Sequence, residues 1–118
     1  MHERPVYPSL WRGCTLLCLL ICNGCASFHY ADDAWTGQDK AKHFVLSAAL
    51  SAAATHAAAE HSDRRGHQAA IGIGVSLALG TGKELRDARG GGSGFSWRDI
   101  AYDVAGALTG YGLYRASQ

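Results

Sequence analysis

The sequence predicts an all-α protein, a small up-down-up bundle of three helices that follows an N-terminal lipoprotein signal peptide. Three observations predict it. Alanine, the strongest helix former, dominates the stretch from Gln38 to Glu60. Thr36-Gly37-Gln38-Asp39 and Ser96-Trp97-Arg98-Asp99 both have the form of a capping box, in which a hydroxyl satisfies an early backbone N–H and an acid reaches back. Two breaks, the polar run His61 to His67 and the glycine-rich run Gly90 to Gly94, separate three segments of helical length.

Taken in order, Met1 to Gly24 reads as a leader. Arg4 and Arg12 precede the apolar run Cys14 to Cys22. That run is well short of the roughly 20 residues that span a bilayer but fits a signal-peptide core. It ends in Asn23-Gly24-Cys25-Ala26-Ser27, a lipobox-like ending in which the Cys25 thiol would be acylated before cleavage. The usual leucine three residues before that cysteine is replaced by Cys22. Cys14, Cys18, Cys22 and Cys25 are the chain's 4 cysteines, so cleavage would leave only Cys25 and no disulfide framework. Ala26 and Ser27 do not supply the aspartate associated with inner-membrane retention, which points to the periplasmic side of the outer membrane. The expected organisation is a signal peptide at 1–24, a lipid-anchored tether at 25–35 and a helical domain at 36–118.

The first helix is expected from Gln38 to about Glu60. The second should run from Gln68 to about Arg89. Its alternating Ile71-Gly72-Ile73-Gly74-Val75-Ser76-Leu77 would suit a strand, but the length of the segment favours a helix. The third should run from Ser96 to about Tyr114. Gly72, Ser76 and Gly80, then Gly106 and Gly110, recur every four residues and so stack on one face, where backbones can approach closely.

Charge narrows the partners. The chain has 11 Lys plus Arg and 10 Asp plus Glu, and losing Arg4, Arg12 and Glu3 with the leader leaves the two signs equal. A balanced surface argues against nucleic acid as a partner and supplies no polybasic membrane patch.

An up-down-up topology would bring three ionisable clusters to one pole: Asp39, Lys40 and His43; Lys83, Glu84, Arg86 and Asp87; and Asp99 with Asp103. Asp39 and Asp99 suit the positive end of a helix dipole, whereas Glu84 and Asp87 lie where that dipole opposes them. Asp103 repeats Asp99 one turn on and lies in the packing half of its helix, so it needs a partner; Lys40 or Arg86 is the expected one. The pole has two readings. As a structural lock it joins the helices. As a functional site it offers His43, Glu84, Asp87 and Asp103 as candidate catalytic groups, with Asp39, Lys40 and Asp99 for binding. The residue types suit a divalent cation or acid–base hydrolysis, but no named metal, nucleophile or phosphate-loop motif is present. No metal or cofactor is therefore expected, and an enzyme is permitted rather than indicated.

Trp35 to Phe44 with Ser47-Ala48, Gly80 to Arg89, and Gly92 to Asp99 with Asp103 to Ala107 and Gly110-Tyr111 resemble the YfiM-like family of bacterial lipoproteins. The order of these blocks is the family's, and they cover nearly all of the chain after Trp35. More distantly, the Asp-Lys-x-x-His-Phe start, the glutamate near a helix end and the acidic residue before the final helix are similar to VanZ-like membrane proteins. The late asparagine of that pattern is absent and the segments are less hydrophobic. The first resemblance implies an envelope lipoprotein with an accessory or binding role toward an envelope protein or lipid. The alternatives are a lipid- or cell-wall-modifying enzyme using the pole, and a small integral membrane protein.

Overall fold

The computed structural model describes residues 28–118, so the leader and Cys25 lie outside the described residues. Three helices follow one another: α1 (Gln38–Ala59), α2 (Arg65–Asp87) and α3 (Trp97–Ala116). They form the expected all-α three-helix bundle, in which α1 packs most extensively on α3, then on α2. The apolar alternation from Ile71 to Leu77 is helical, because the apolar residues around it extend one continuous segment through Asp87.

Two local expectations are corrected. Thr36 does not cap α1: its N-cap is Gly37, with φ 143°, and no side chain caps it. Ser96 does cap α3, its hydroxyl accepting from the Asp99 N–H at 3.0 Å. The reciprocal half of that box is absent, because the Ser96 N–H donates to Glu84 Oε2 at 2.8 Å. A contact between helices has displaced the local one.

The interior is polar. Lys40, His43, Ser47, Ser51, Thr55 and Ala58 are the buried residues of α1, spaced three or four apart and hence on a single face. Glu84, Thr55, Asp103, Ser51 and Ser76 are the largest fully buried side chains. Among the described residues the buried apolar side chains are Ala58, Ala88, Phe95 and Ala107. Large apolar groups instead face outward: Val45, Leu46 and Leu50 on α1, Ile71, Val75 and Leu79 on α2, and Val104, Leu108 and Leu113 on α3. This is the reverse of the usual amphipathic arrangement, in which the apolar stripe faces the core. No helix among the described residues is long and apolar enough to cross a membrane.

Small residues make this interior possible. A Cβ at Gly110 would meet the Ala48 carbonyl, and one at Gly106 the Phe44 carbonyl, in each case well inside contact distance. The helices therefore touch backbone to backbone, and dispersion across a close seam replaces the burial of large side chains.

Residues 28–35, expected as a spacer, are docked on the bundle. The Ala31 N–H donates to Phe95 O and the Phe95 N–H to His29 O, both at 2.9 Å, and the His29 N–H reaches Ala88 O. Phe28, Tyr30 and Trp97 gather around Phe95 with ring centroids 5.7, 6.2 and 4.9 Å away. Gly94 allows this approach: its φ is +97°, and a Cβ there would lie 2.5 Å from Ala31 N.

Candidate functional site

The pole forms as the topology requires, from the start of α1, the end of α2 and the start of α3. Its centre is His43, only 5% exposed. Asp103 Oδ1 lies 3.0 Å from His43 Nδ1 and also accepts from the Ser47 hydroxyl at 2.6 Å. On the other side of the ring, Nε2 lies 3.4 Å from Asp99 Oδ2 and 3.6 Å from Glu84 Oε1. Neither is a hydrogen bond, and among the described residues His43 Nε2 and Asp103 Oδ2 are buried without a hydrogen-bond partner.

The expected partner of Asp103 is therefore corrected. It is not Lys40 or Arg86 but His43 with Ser47. Lys40, 4% exposed, bridges Asp99 and Asp33. Burial alone would lower its pKa, but hydrogen bonds and charge from Asp33 and Asp99 raise it above the ordinary lysine value. The Lys40 ammonium thus fastens α1 both to α3 and to the N-terminal arm.

Asp33 is the residue that sequence reasoning missed. It accepts from Lys40, from the Ser96 hydroxyl at 2.7 Å and from Arg98. Burial pushes its carboxyl up, yet these three donors outweigh burial and hold it down at about 2. Arg98 also donates to the Asp33 carbonyl and lies 5.5 Å from the centre of the Trp35 ring, while the Tyr102 hydroxyl donates to Trp35 O at 2.8 Å. Nothing local marks Asp33 apart from Asp32; only a clustering of charge elsewhere would have prompted the question.

Asp39 and Asp87 stand at the edge. Asp39 has an exposed side chain, 65% accessible, 3.9 Å from Lys40, although its carboxylate can approach the site: one ligand atom each from Asp39, His43 and Asp99 falls within a mutual 4.8 Å. Asp87 is held by Lys83 at 2.8 Å and does not line the cavity described next. Lys83 also lies 3.2 Å from Glu84. Burial opposes its charge, but Asp87 and Glu84 together raise its pKa.

A cavity of about 210 Å³ opens beside His43. Its inner wall holds His43, Ser47, Gly80 and Asp103; Leu46, Leu50 and Leu79 form an apolar side; and Asp39, Lys42 and Lys83 stand at its charged end. Gly80 is required there, because a Cβ would fall on the Asp103 carboxylate. Ser47 is not set up as a nucleophile, since its hydroxyl donates to Asp103 and not to the imidazole.

The described residues form a small helical bundle with a polar interior, an apolar exterior and one ionisable pole. Residues 28–115 match the DUF2279 family of predicted periplasmic lipoproteins, and the chain belongs to that family. No curated protein and no solved structure matches it. The assignment agrees with a lipid-anchored periplasmic protein and specifies no activity.

Proposed function

We propose that this chain is a lipoprotein of the outer membrane, held at the periplasmic side by acyl chains on Cys25 after removal of residues 1–24, with a binding role toward envelope phospholipid. The arrangement is what the YfiM-like resemblance implies. One observation carries the lipid reading: the bundle is polar inside and apolar outside, and its cavity opens between the two. Leu46, Leu50 and Leu79 would take acyl carbons, while Lys42, Lys83 and Asp39 complement a headgroup bearing phosphate and ammonium. The docked arm keeps the tether short, which would hold the pole close to the membrane surface.

The VanZ-like alternative, with helices inside the bilayer, draws on the same outward apolar faces, but no helix among the described residues has the length and hydropathy to cross. A seat at the lipid interface suits those faces better. The enzyme alternative draws on the His43–Asp103 pair, beside which the Ser47 hydroxyl is turned to Asp103 and not to the imidazole.

Envelope fractionation with labelled palmitate tests the reading, run on wild type, Cys25→Ala and Cys25→Ala/Lys42→Glu. The single variant should lose the label and leave the outer membrane, yet bind phospholipid vesicles saturably; the double variant should bind them several-fold more weakly. A released protein with no affinity for vesicles would overturn the binding role. A Cys25→Ala protein that stays in carbonate-washed membranes would overturn the tether in favour of the embedded reading.

A further inference from the structure

We propose that Asp39, His43 and Asp99, which each offer a ligand atom within a mutual 4.8 Å, form a site for one divalent metal ion, with Glu84 as a further buried donor facing the imidazole. The inference goes beyond the lipid-binding reading and does not rest on it.

The tautomer of His43 comes first. Its Nδ1 lies 3.0 Å from Asp103 Oδ1, and an ionised carboxylate only accepts, so Nδ1 carries the proton. Nε2 is then a lone pair, buried and without a hydrogen-bond partner. It faces Asp99 Oδ2 at 3.4 Å and Glu84 Oε1 at 3.6 Å. A lone pair opposite two anionic oxygens is repulsive unless something positive lies between them. An ion with bonds of about 2.0–2.1 Å in a tetrahedral shell holds its donors about 3.4 Å apart, close to the 3.4 and 3.6 Å that separate Nε2 from the two oxygens.

The supporting bonds leave the right atoms available. Asp99 gives Oδ1 to Lys40 and turns Oδ2 to the imidazole. Glu84 gives Oε2 to the Ser96 N–H and turns Oε1 to the imidazole. Lys83 also reaches Oε1, at 3.2 Å, but it is half exposed and holds Asp87 more closely, at 2.8 Å, so it can yield. Asp103, hydrogen-bonded to the far side of the ring, fixes tautomer and orientation as the outer carboxylate of a metal-bound histidine does.

Charge points the same way. The buried ionisable groups are Lys40, His43, Glu84, Asp99 and Asp103. Three buried carboxylates face one buried ammonium, with Lys83 reaching Glu84 only from the half-exposed edge, and a divalent ion would add positive charge where the carboxylates gather. One imidazole with carboxylates and no thiolate suits Zn²⁺ or Mn²⁺ and disfavours Cu⁺.

The test uses the full lipidated chain in detergent, treated with chelator and then titrated separately with Zn²⁺ and Mn²⁺, with elemental analysis after gel filtration. Wild type should retain one ion per chain. Asp39→Asn, a surface change that leaves the fold intact by circular dichroism, should weaken retention by about tenfold; His43→Gln should abolish it. If His43→Gln fails to fold, electron spin-echo modulation of Mn²⁺ on wild type decides, through one coupled imidazole nitrogen. Retention lost in His43→Gln but unchanged in Asp39→Asn would overturn the site as drawn, because Asp39 belongs to its ligand group. The inference fails if folded wild type retains neither ion, if His43→Gln binds as wild type does, or if bound Mn²⁺ shows no imidazole coupling. Vesicle binding by Cys25→Ala and Cys25→Ala/Lys42→Glu, which change no ligand of this site, reports on the other proposal separately.

Discussion

At the pole, Lys40, His43, Glu84, Asp99 and Asp103 join three helices through ion pairs and hydrogen bonds, whereas at Gly106 and Gly110 α3 closes directly on the Phe44 and Ala48 carbonyls of α1. The first region is specific and costly, because each desolvated charge must find its partner. The second is cheap in desolvation but tolerates no added volume. Between them lies no large apolar core of the usual kind. The bundle holds its helices together by geometry at one end and by complementary charge at the other, and that division leaves the leucines and valines free to face outward.

Breaking the polar region should have the largest effect. Asp103→Ala strands the buried His43 and Ser47 donors, and should cost about 3–5 kcal/mol, read by denaturant unfolding. A loss below 1 kcal/mol, on the order of an ordinary surface change, would mean that the pole is not a lock.

The small-residue seam should respond less. Gly110→Ala puts a methyl group against the Ala48 carbonyl and should cost about 1–3 kcal/mol, as overpacking does, even though alanine is the better helix former. A more stable variant would show that the two helices separate readily, and the contrast between the two regions would collapse.

The smallest effect concerns the arm. Asp33 is held at about 2 in the folded chain against an ordinary value of 3.8, so folding favours its ionised form. Its contribution is fully present above the ordinary value and is lost as pH falls through the folded one. Acid titration followed by near-ultraviolet signals of Trp97 and Tyr30 should show loosening between about pH 4 and 2. Asp33→Asn should flatten that step; an unchanged step would assign it to another carboxylate.

Much of the fold was legible along the chain. Alanine content, the Ser96 cap and the Gly90–Gly94 break located helices whose ends shifted by only a few residues, because helix propensity and stop signals are local. The convergence of Lys40, His43, Glu84, Asp99 and Asp103 was legible too, since three short-looped helices admit little topological choice. Pairing was not. Which carboxylate takes His43, and that Ser96 gives its N–H to Glu84, depend on a rotational setting of the helices that no single helix encodes.

Two further features needed the tertiary structure. Thr36 has the letters of a cap but not its position, because α1 starts one residue later, with Gly37 as its N-cap at φ 143°. Asp33 looks like a tether residue until Lys40, Ser96 and Arg98 surround it. The sequence by itself determined three helices, their order and a charged pole, since these follow from periodicity, capping and chain connectivity. The tertiary structure alone decided that the polar face turns inward and the apolar face outward. Glycine at 72, 80, 106 and 110 lets the backbones close over serines, a histidine and carboxylates, and no large apolar side chain can enter a seam that narrow.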